Sequence, residues 1–233
     1  IKLDGASGKT IEWHGTTIEN MSLDERATIC NMAVEAGATN GIMALNDESR
    51  TFLTSTAKRP FEEVTTDKNF EYCQEITYQA SDLEPMIALP HRPDNVQPIS
   101  VVKKQCIPIQ QVYVGGCTGG KLEDILRFNK ELNNKKIFKG LQAIVVPATT
   151  KIYRELMDTG ILASLMDSGV AIESPGCKAC YGVQGGVTAD NENCLATINR
   201  NFMGRMGNPK SYIYLSSPIT AAKSAIAGYI TDK

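Results

Sequence analysis

The chain has 233 residues, and its 24 Lys and Arg against 26 Asp and Glu give a formal net charge of -2 at pH 7. The length allows one large or two modest domains, and the near-neutral charge offers no basic excess for a nucleic-acid backbone or an anionic membrane. No stretch approaches the roughly 20 apolar residues of a membrane-spanning helix. Seven cysteines, an odd number, argue against a secreted disulfide framework, so we expect a reducing compartment with thiols free for metal.

The first predicted helix begins at a capping box. Ser22 is followed three positions later by Glu25, a pattern typical of a helix N-terminus. We expect this helix to continue to a stop at Gly37. Asn31 and Glu35 lie four residues apart and are therefore predicted to project from the same side of the helix.

A polar, proline-interrupted stretch separates the first half of the chain from the second. Residues 41–45 are predicted as a short buried strand, and the sequence is then mixed and polar over 52–94. The segment HRPDNVQP at 91–98 is typical of a linker. We place the domain boundary there and predict two domains, 1–98 and 99–233.

Strands and helices alternate in the second half. The predicted strands are 107–115, 141–148, 171–174 and 211–217, and the predicted helices are 121–133, 149–169 with a break near Gly160, and 218–228. Alternation at this spacing predicts a mainly parallel sheet covered on both faces. The predicted fold class is α/β, with two three-layer α/β/α domains whose sheets are mainly parallel.

Three cysteines lie in glycine-rich turns after predicted strands. Cys117 follows VYVGG directly, and Cys177 and Cys180 follow AIES. Because functional groups collect beyond the carboxyl ends of parallel strands, both loops could meet at one edge of the sheet. Four thiolates would close a zinc site or an ordinary electron-transfer cluster, whereas three on a cubane cluster leave one iron free for water or substrate. The pattern therefore predicts an open metal site.

Two other interpretations of these cysteines stay open. A structural zinc site would recruit Cys194, His14 or His91 as its fourth ligand, and unligated thiols would need no metal. The cysteines outside the glycine-rich turns are otherwise predicted to be small buried apolar side chains. They are Cys30, Cys73, Cys106 and Cys194.

Two arginines follow the cysteines in a segment rich in Gly, Asn and Pro. Arg200 and Arg205 lie five residues apart in TINRNFMGRMGNP. Guanidinium groups near a metal suit a substrate with two carboxylates, because arginine binds carboxylate with two parallel hydrogen bonds and stays charged. Composition alone favours the plainer interpretation, in which both are solvated surface side chains.

Five ordered motifs resemble those of the aconitase superfamily. They are LDERATICNMAVEAGA, LEPMIALPHRPDN, VYVGGCTGGKLED, SPGCKACYG and NRNFMGRMGNPKSYIYLSSPITAAKSAIAG. Over nearly its whole length the chain is most similar to the large subunits of 3-isopropylmalate dehydratase of the plant-like type. The resemblance implies reversible dehydration and rehydration of 2- and 3-isopropylmalate in leucine biosynthesis, in a bacterial cytoplasm or a plastid stroma. Aconitase or homoaconitase activity is the alternative within the family.

The resemblance also implies roles for individual residues. The ligands of a 4Fe-4S cluster would be Cys117, Cys177 and Cys180. Asn31 and Asn199 would support the cluster by hydrogen bonds, and Glu35 would lie near the iron-bound oxygen as an acid/base or water-orienting group. Arg200 and Arg205 would hold the carboxylates of the substrate.

The chain departs from the family pattern at two positions. Gly119 stands where many members have asparagine, which removes one side-chain hydrogen bond from the site. Lys178, within CKAC, stands in a motif that many members write CGPC, and it adds positive charge near the cluster. Neither change removes a sulfur ligand, but both are expected to alter cluster stability and reactivity.

Family members have parts that this chain does not show. The resemblance implies an N-terminal region of the large subunit with His and Asp site residues. It also implies a mobile swivel domain, often a separate small subunit, with a serine base and an arginine. The chain begins at Ile1 in mid-pattern, so we expect these two parts as partners, a di- or tricarboxylate hydroxy acid as substrate, and no activity from the chain alone. A noncatalytic RNA-binding relative and a zinc-stabilised fragment are the alternatives outside enzymes.

Overall fold

Residues 1–233 are described by a computed structural model. Its strands are β1 (Thr10–Trp13), β2 (Asn40–Met43), β3 (Met86–Ala88), β4 (Val96–Pro98), β5 (Gln111–Gly115), β6 (Gln142–Val146), β7 (Ala171–Ile172), β8 (Asn193–Ala196) and β9 (Tyr212–Leu215). Its helices are α1 (Thr16–Glu19), α2 (Leu23–Met32), α3 (Asp47–Thr56), α4 (Ile99–Val102), α5 (Gly116–Gly119), α6 (Leu122–Leu132), α7 (Thr150–Asp158), α8 (Ile161–Ser168) and α9 (Pro218–Ala227). None of them combines the length and apolar character needed to cross a bilayer.

A seven-stranded sheet organises most of the chain, in the order β4-β3-β9-β8-β5-β6-β7. The five strands from β9 to β7 run parallel, and the β3–β4 hairpin adds antiparallel to the edge at β9. The predicted α/β fold with a mainly parallel sheet is confirmed. Since the parallel strands share one direction, the loops after β5, β7 and β8 lie at one edge of the sheet.

Alternate residues of the central strands face two apolar layers. In β5, Val112 and Val114 pack in a cluster with α6 and α9 residues such as Phe128, while Tyr113 faces the opposite side with Cys180. This alternation follows from the two-residue period of a strand. All five residues of β5 are buried, as expected for a parallel strand covered on both faces.

A smaller unit precedes the large sheet, and we call residues 1–82 the N-terminal region. Its strands β1 and β2 form a separate two-stranded parallel sheet. The predicted capping box of α2 is confirmed, since Ser22 and Glu25 exchange hydrogen bonds. The α-helix ends at Met32, however, and a 3-10 turn over Ala33–Ala36 leads to the predicted stop at Gly37, whose φ of 78° is left-handed.

The core of the N-terminal region is small. Three alanines are buried there, Ala6, Ala33 and Ala38, with Trp13 packed against them. The predicted strand at 41–45 is present as β2, but it is only half-buried, because this sheet has two strands and little apolar cover. Its middle lies close to Trp13, since a Cβ on Gly41 would fall 2.8 Å from Trp13 Cζ3.

The segment predicted as a linker belongs to the large sheet. Residues 91–98 contain the turn of the β3–β4 hairpin and the whole of β4, and Ala88 pairs with Leu215 of β9. The division of the chain at residue 98 stays a prediction, and this hairpin favours a division before Met86. The strand and helix alternation in the sequence also failed to predict β8, which lies at the centre of the sheet.

Candidate functional site

Cys117 lies on a single helical turn at the carboxyl end of β5. The turn is α5. Backbone conformation and close neighbours explain why glycines occur in it and directly after it. Gly116 has a φ of +79°, and a Cβ there would lie 3.4 Å from Cys180 Sγ. A Cβ on Gly120 would lie 2.6 Å from the carbonyl oxygen of Val146, so this loop runs too close to β6 for a side chain.

Cys177 and Cys180 belong to a second turn, beyond β7. Cys177 directly precedes a 3-10 turn over Lys178–Tyr181, and Cys180 lies within it; Tyr113 Oη donates to the carbonyl oxygen of Cys177 at 3.2 Å. Cys180 is 5% exposed, and burial raises the pKa of its thiol, as does its repulsion from Cys117 and Cys177, while Arg205 lowers it. Cys180 is therefore within electrostatic reach of both Cys117 and Cys177.

Two of the other candidate ligands have contacts of their own. His14 Nε2 pairs with Tyr72 Oη at 2.9 Å in the N-terminal region, and Cys194 is fully buried in β8, in the same apolar cluster as Cys180. No group of three or more Cys, His, Asp or Glu side chains is arranged to hold a metal ion. Cys117 and Cys177 are exposed.

The remaining cysteines follow the prediction only in part. Cys194 is buried as predicted, and burial raises the pKa of its thiol. Cys30 is half-buried, and burial raises its pKa as well. Cys73 and Cys106 are exposed, so their prediction as buried apolar side chains is wrong. Both lie in segments outside the apolar clusters of the two sheets.

Helix α2 brings Asn31 to the Cys117 turn. Asn31 Nδ2 donates to Thr118 Oγ1 at 2.7 Å and to Cys117 Sγ at 3.3 Å. The amide thus reaches a thiol that is 86 residues away in sequence. The N-terminal region therefore supplies a hydrogen-bond donor to this sulfur.

Glu35 joins the N-terminal region to the segment after β8. Its Oε1 accepts hydrogen bonds from Asn199 Nδ2 at 2.8 Å and from Arg200 Nε at 2.7 Å. The Glu35 side chain is 7% exposed and that of Arg200 is 34% exposed. Oε2 of Glu35 and the two terminal amino groups of Arg200 make no hydrogen bond within the chain, so both residues keep free polar atoms.

Arg205 lies against Cys180. Its Nη2 is 3.8 Å from Cys180 Sγ, and its guanidinium carbon lies 5.9 Å from the centre of the Tyr181 ring. Its Nε is buried without a hydrogen-bond partner. A buried donor without an acceptor is costly, and this one marks a place where an anionic group would be stabilised.

The two departures from the family pattern have local explanations. A Cβ on Gly119 would lie 2.2 Å from Thr197 Oγ1, so this backbone leaves no room for a side chain. Lys178 has a φ of 46°, a left-handed conformation that favours glycine. Its Nζ lies 4.0 Å from Glu173 Oε2, and this carboxylate offsets part of the charge added beside the cysteines.

Sequence patterns missed a buried lysine next to the Cys117 turn. Lys121 Nζ donates to the carbonyl oxygen of Thr118, to Thr28 Oγ1 at 2.5 Å and to Asp124 Oδ2 at 3.0 Å. It therefore connects α2, the cysteine turn and α6. The sequence did contain an indication of this role. A lysine at the start of a helix is unfavourable next to the positive end of the helix dipole, so its presence there suggests a specific local contact.

Comparisons with known proteins agree on one family. The sequence model of the aconitase family (aconitate hydratase) matches residues 1–228. The chain is 44% identical over 230 residues to 3-isopropylmalate dehydratase large subunit 1 of Thermotoga maritima, covering 98% of this chain and 55% of that protein. It is 43% identical over 233 residues to 3-isopropylmalate dehydratase large subunit 2 of Archaeoglobus fulgidus, covering 100% of this chain and 56% of that protein. The chain thus spans about half the length of the curated relatives it matches.

Proposed function

The chain belongs to the aconitase family, and from this premise we propose that it forms part of the active site of an iron-sulfur hydro-lyase. The proposed reaction is the reversible dehydration and rehydration that interconverts 2-isopropylmalate and 3-isopropylmalate in leucine biosynthesis. The observation that carries the proposal is a set of contacts: Asn31 reaches Cys117 and Arg205 reaches Cys180. Glu35, four residues after Asn31, binds Asn199 and Arg200. The substrate is proposed from the names of the relatives.

We propose Cys117, Cys177 and Cys180 as the ligands of a 4Fe-4S cluster. Three thiols form the donor set that iron-sulfur clusters use. Asn31 and Arg205 donate toward two of the sulfurs, and such donors would stabilise the negative charge of a bound cluster. When bound through only three cysteines, the cluster supplies an open iron site with Lewis-acid chemistry.

The two arginines are proposed to bind and orient the substrate carboxylates. Glu35 holds Arg200 through Nε, which leaves its terminal amino groups for a carboxylate. Arg205 offers a buried Nε that lacks an acceptor. Two fixed guanidinium groups would offset the charge of a dianion and restrict its rotation, so the reacting carbons are held in one orientation.

Glu35 is proposed as the residue that moves a proton. Asn199 and Arg200 both bind its Oε1, which fixes the carboxylate and leaves Oε2 for the substrate. In the dehydration direction, Oε2 would give a proton to the departing hydroxyl, while the serine base proposed for the swivel domain would take the proton from the adjacent carbon. In rehydration both proton transfers would reverse. The low exposure of Glu35, 7%, keeps bulk water from competing for this oxygen.

The proposal includes partners. Relatives named as large subunits support assembly with a small subunit, for which we propose the swivel domain, and with the remaining part of the large subunit. The organisms of these relatives support a prokaryotic cytoplasm. The family description, aconitate hydratase, favours citrate as the alternative substrate, and homocitrate belongs to the same chemical class.

The test is an assay of the full-length large subunit with its small subunit. After anaerobic reconstitution, we expect iron and sulfide at cluster stoichiometry and interconversion of the isopropylmalates, with citrate as the competing substrate. Zinc at one per chain without iron-sulfur absorption would contradict the cluster, and turnover of citrate alone would contradict the substrate.

A conservative substitution tests the role of Arg205. Arg205→Lys removes a bidentate charged contact worth about 1.5–3 kcal/mol, so kcat/KM should fall about 10- to 100-fold. Arg154→Lys, at an exposed position on α7, is the matched control and should leave kcat/KM unchanged. Unchanged kinetics in Arg205→Lys would refute the carboxylate assignment.

A further inference from the structure

The hydroxyl of Thr197 connects the two ends of the Cys117 turn. Gly115 N donates to Thr197 Oγ1 at 3.1 Å, and Oγ1 donates to the carbonyl oxygen of Gly119 at 3.1 Å. One residue precedes the turn and the other is its last. Because a threonine hydroxyl has one proton and two lone pairs, a single side chain both accepts and donates across the turn.

We propose that Thr197 is a positioning residue that fixes Cys117 relative to Asn199 and Arg200. Thr197 lies two residues before Asn199 in the segment that leaves β8. It does not contact Cys117 through its side chain, so it acts through the backbone of the turn. The inference rests on the proposed function of this site and adds a residue that the sequence pattern did not indicate.

The backbone of Thr197 is itself held by the large sheet. Its N–H donates to the carbonyl oxygen of Tyr113 at 3.0 Å, directly after the pairing of Tyr113 with Ala196 in the parallel β5–β8 ladder. Thr197 as a whole residue is 5% exposed. Burial and a fixed backbone together hold the hydroxyl in place, so the position of the turn follows that of β8.

Glycine at position 119 is what allows this contact. A Cβ there would lie 2.2 Å from Thr197 Oγ1 and 2.4 Å from the carbonyl oxygen of Thr197. Residues 119 and 197 are therefore a complementary pair in which one has no side chain and the other fills the space. Gly119 has no side chain to donate a hydrogen bond to the site. Its carbonyl oxygen instead accepts a hydrogen bond from the Thr197 hydroxyl.

Opposite contacts hold the other side of the same turn. Asn31 binds Thr118 Oγ1, while Thr28 and Lys121 both donate to the carbonyl oxygen of Thr118. Loss of the Thr197 hydroxyl would leave the side-chain contacts of the turn to α2 and Lys121, while the N–H of Ala148 would still donate to the carbonyl oxygen of Gly120 at 2.8 Å. The position of Cys117 relative to Cys180 would then depend less on β8 and more on the N-terminal region.

The first experiment measures thiol reactivity in the cluster-free chain. Iodoacetamide labelling, followed by peptide mass spectrometry, gives the rate at Cys117 divided by that at Cys177 as an internal reference. For Thr197→Val, which keeps the shape and loses both hydrogen bonds, this ratio should change by about fivefold or more. Thr197→Ser should restore the wild-type ratio, since it keeps the hydroxyl.

A matched control separates positioning from general stability. Thr188 is buried and its hydroxyl bonds to Ser211 Oγ at 2.7 Å, so Thr188→Val loses a comparable contact away from the turn and should leave the Cys117 ratio unchanged. If Thr197→Val does not fold, the smaller Thr197→Ala carries the same expectation. An unchanged ratio in the folded variant, or equal changes in the Val and Ser variants, overturns the proposal.

The second experiment uses the reconstituted holoenzyme. Thr197→Val should lose iron to a chelator several-fold faster than the wild type and lower kcat more than it raises KM, and Thr197→Ser should behave as the wild type. Equal iron loss in all three proteins overturns the positioning role. If the wild type assembles no cluster, the proposed function fails, while the labelling ratio still decides the role of Thr197.

Discussion

The large sheet has apolar clusters of 21 and 12 buried residues on its two faces, whereas the N-terminal region has a cluster of three alanines. Helix α2 of that region is instead docked by polar contacts to the start of α6. They are Ser22 Oγ to Glu123 Oε2, Glu123 N to Asp24 Oδ2, and Arg127 Nη2 to Glu25 Oε1. The cysteines thus lie on a rigid support, while Asn31 and Glu35 depend on an interface made largely of hydrogen bonds and ion pairs.

The largest expected effect tests the difference in apolar packing. Leu195 is fully buried at the centre of the large sheet, so Leu195→Ala should lower the free energy of unfolding by about 3 kcal/mol. Leu53→Ala, the same change at a half-buried position of α3, should cost about 1 kcal/mol or less. Urea titrations of both variants measure the two losses in unfolding free energy. Equal losses would show that the two regions do not differ in apolar packing.

An intermediate effect is expected at the contact between the regions. Glu35→Gln removes the charged acceptor of Arg200, and since Arg200 is 34% exposed, solvent compensates part of the loss. We expect a cost of about 1–2 kcal/mol, visible as roughly tenfold faster amide exchange in α2 and its 3-10 turn. Glu19→Gln, at an exposed position of α1, is the control. Equally fast exchange in the Glu19→Gln control would show that the Glu35–Arg200 contact does not specifically hold α2.

The smallest effect is a pH dependence of α2 docking. Burial raises the pKa of Glu25, but hydrogen bonds from Arg127 and from Ser22 N outweigh burial, and the pKa is lowered from its ordinary value of 4.5. A carboxylate with a lowered folded-state pKa stabilises the fold above its unfolded pKa, and this contribution is lost as pH falls through the folded pKa.

The protection factors of the α2 amides, which correct for the pH dependence of intrinsic exchange, should therefore fall below about pH 4.5 by an amount equivalent to less than about 1 kcal/mol, because the Arg127 pair is partly exposed to solvent. The measurement is exchange at several pH values in the wild type and in Arg127→Met. The variant should show a weaker pH dependence over the same range. An identical dependence in both proteins would show that this ion pair does not hold α2.

The features that the sequence predicted are those determined by nearby residues. The capping box of α2, its stop at Gly37 and the break near Gly160 each depend on residues within a few positions, and all three are present. Glycine-rich turns after strands likewise placed the cysteines at the carboxyl edge of the sheet.

Long-range pairing decided what the sequence could not predict. Strand β8 has four residues and becomes a central strand only because β5 and β9 lie on either side of it. The contact of Thr197 with Gly119 joins residues 78 positions apart, and the contact of Asn199 with Glu35 joins residues 164 apart. The spacing of apolar residues along a helix or strand gives no information about which distant residues will meet.

Trp13 is the only tryptophan in the chain, and it packs beside Gly41 and the three buried alanines of the N-terminal region. Its fluorescence therefore reports on that region alone, while the circular dichroism of the backbone is dominated by the large sheet and its helices. Emission that shifts before the ellipticity changes would resolve loosening of α2, with Asn31 and Glu35, from unfolding of the sheet that carries the cysteines.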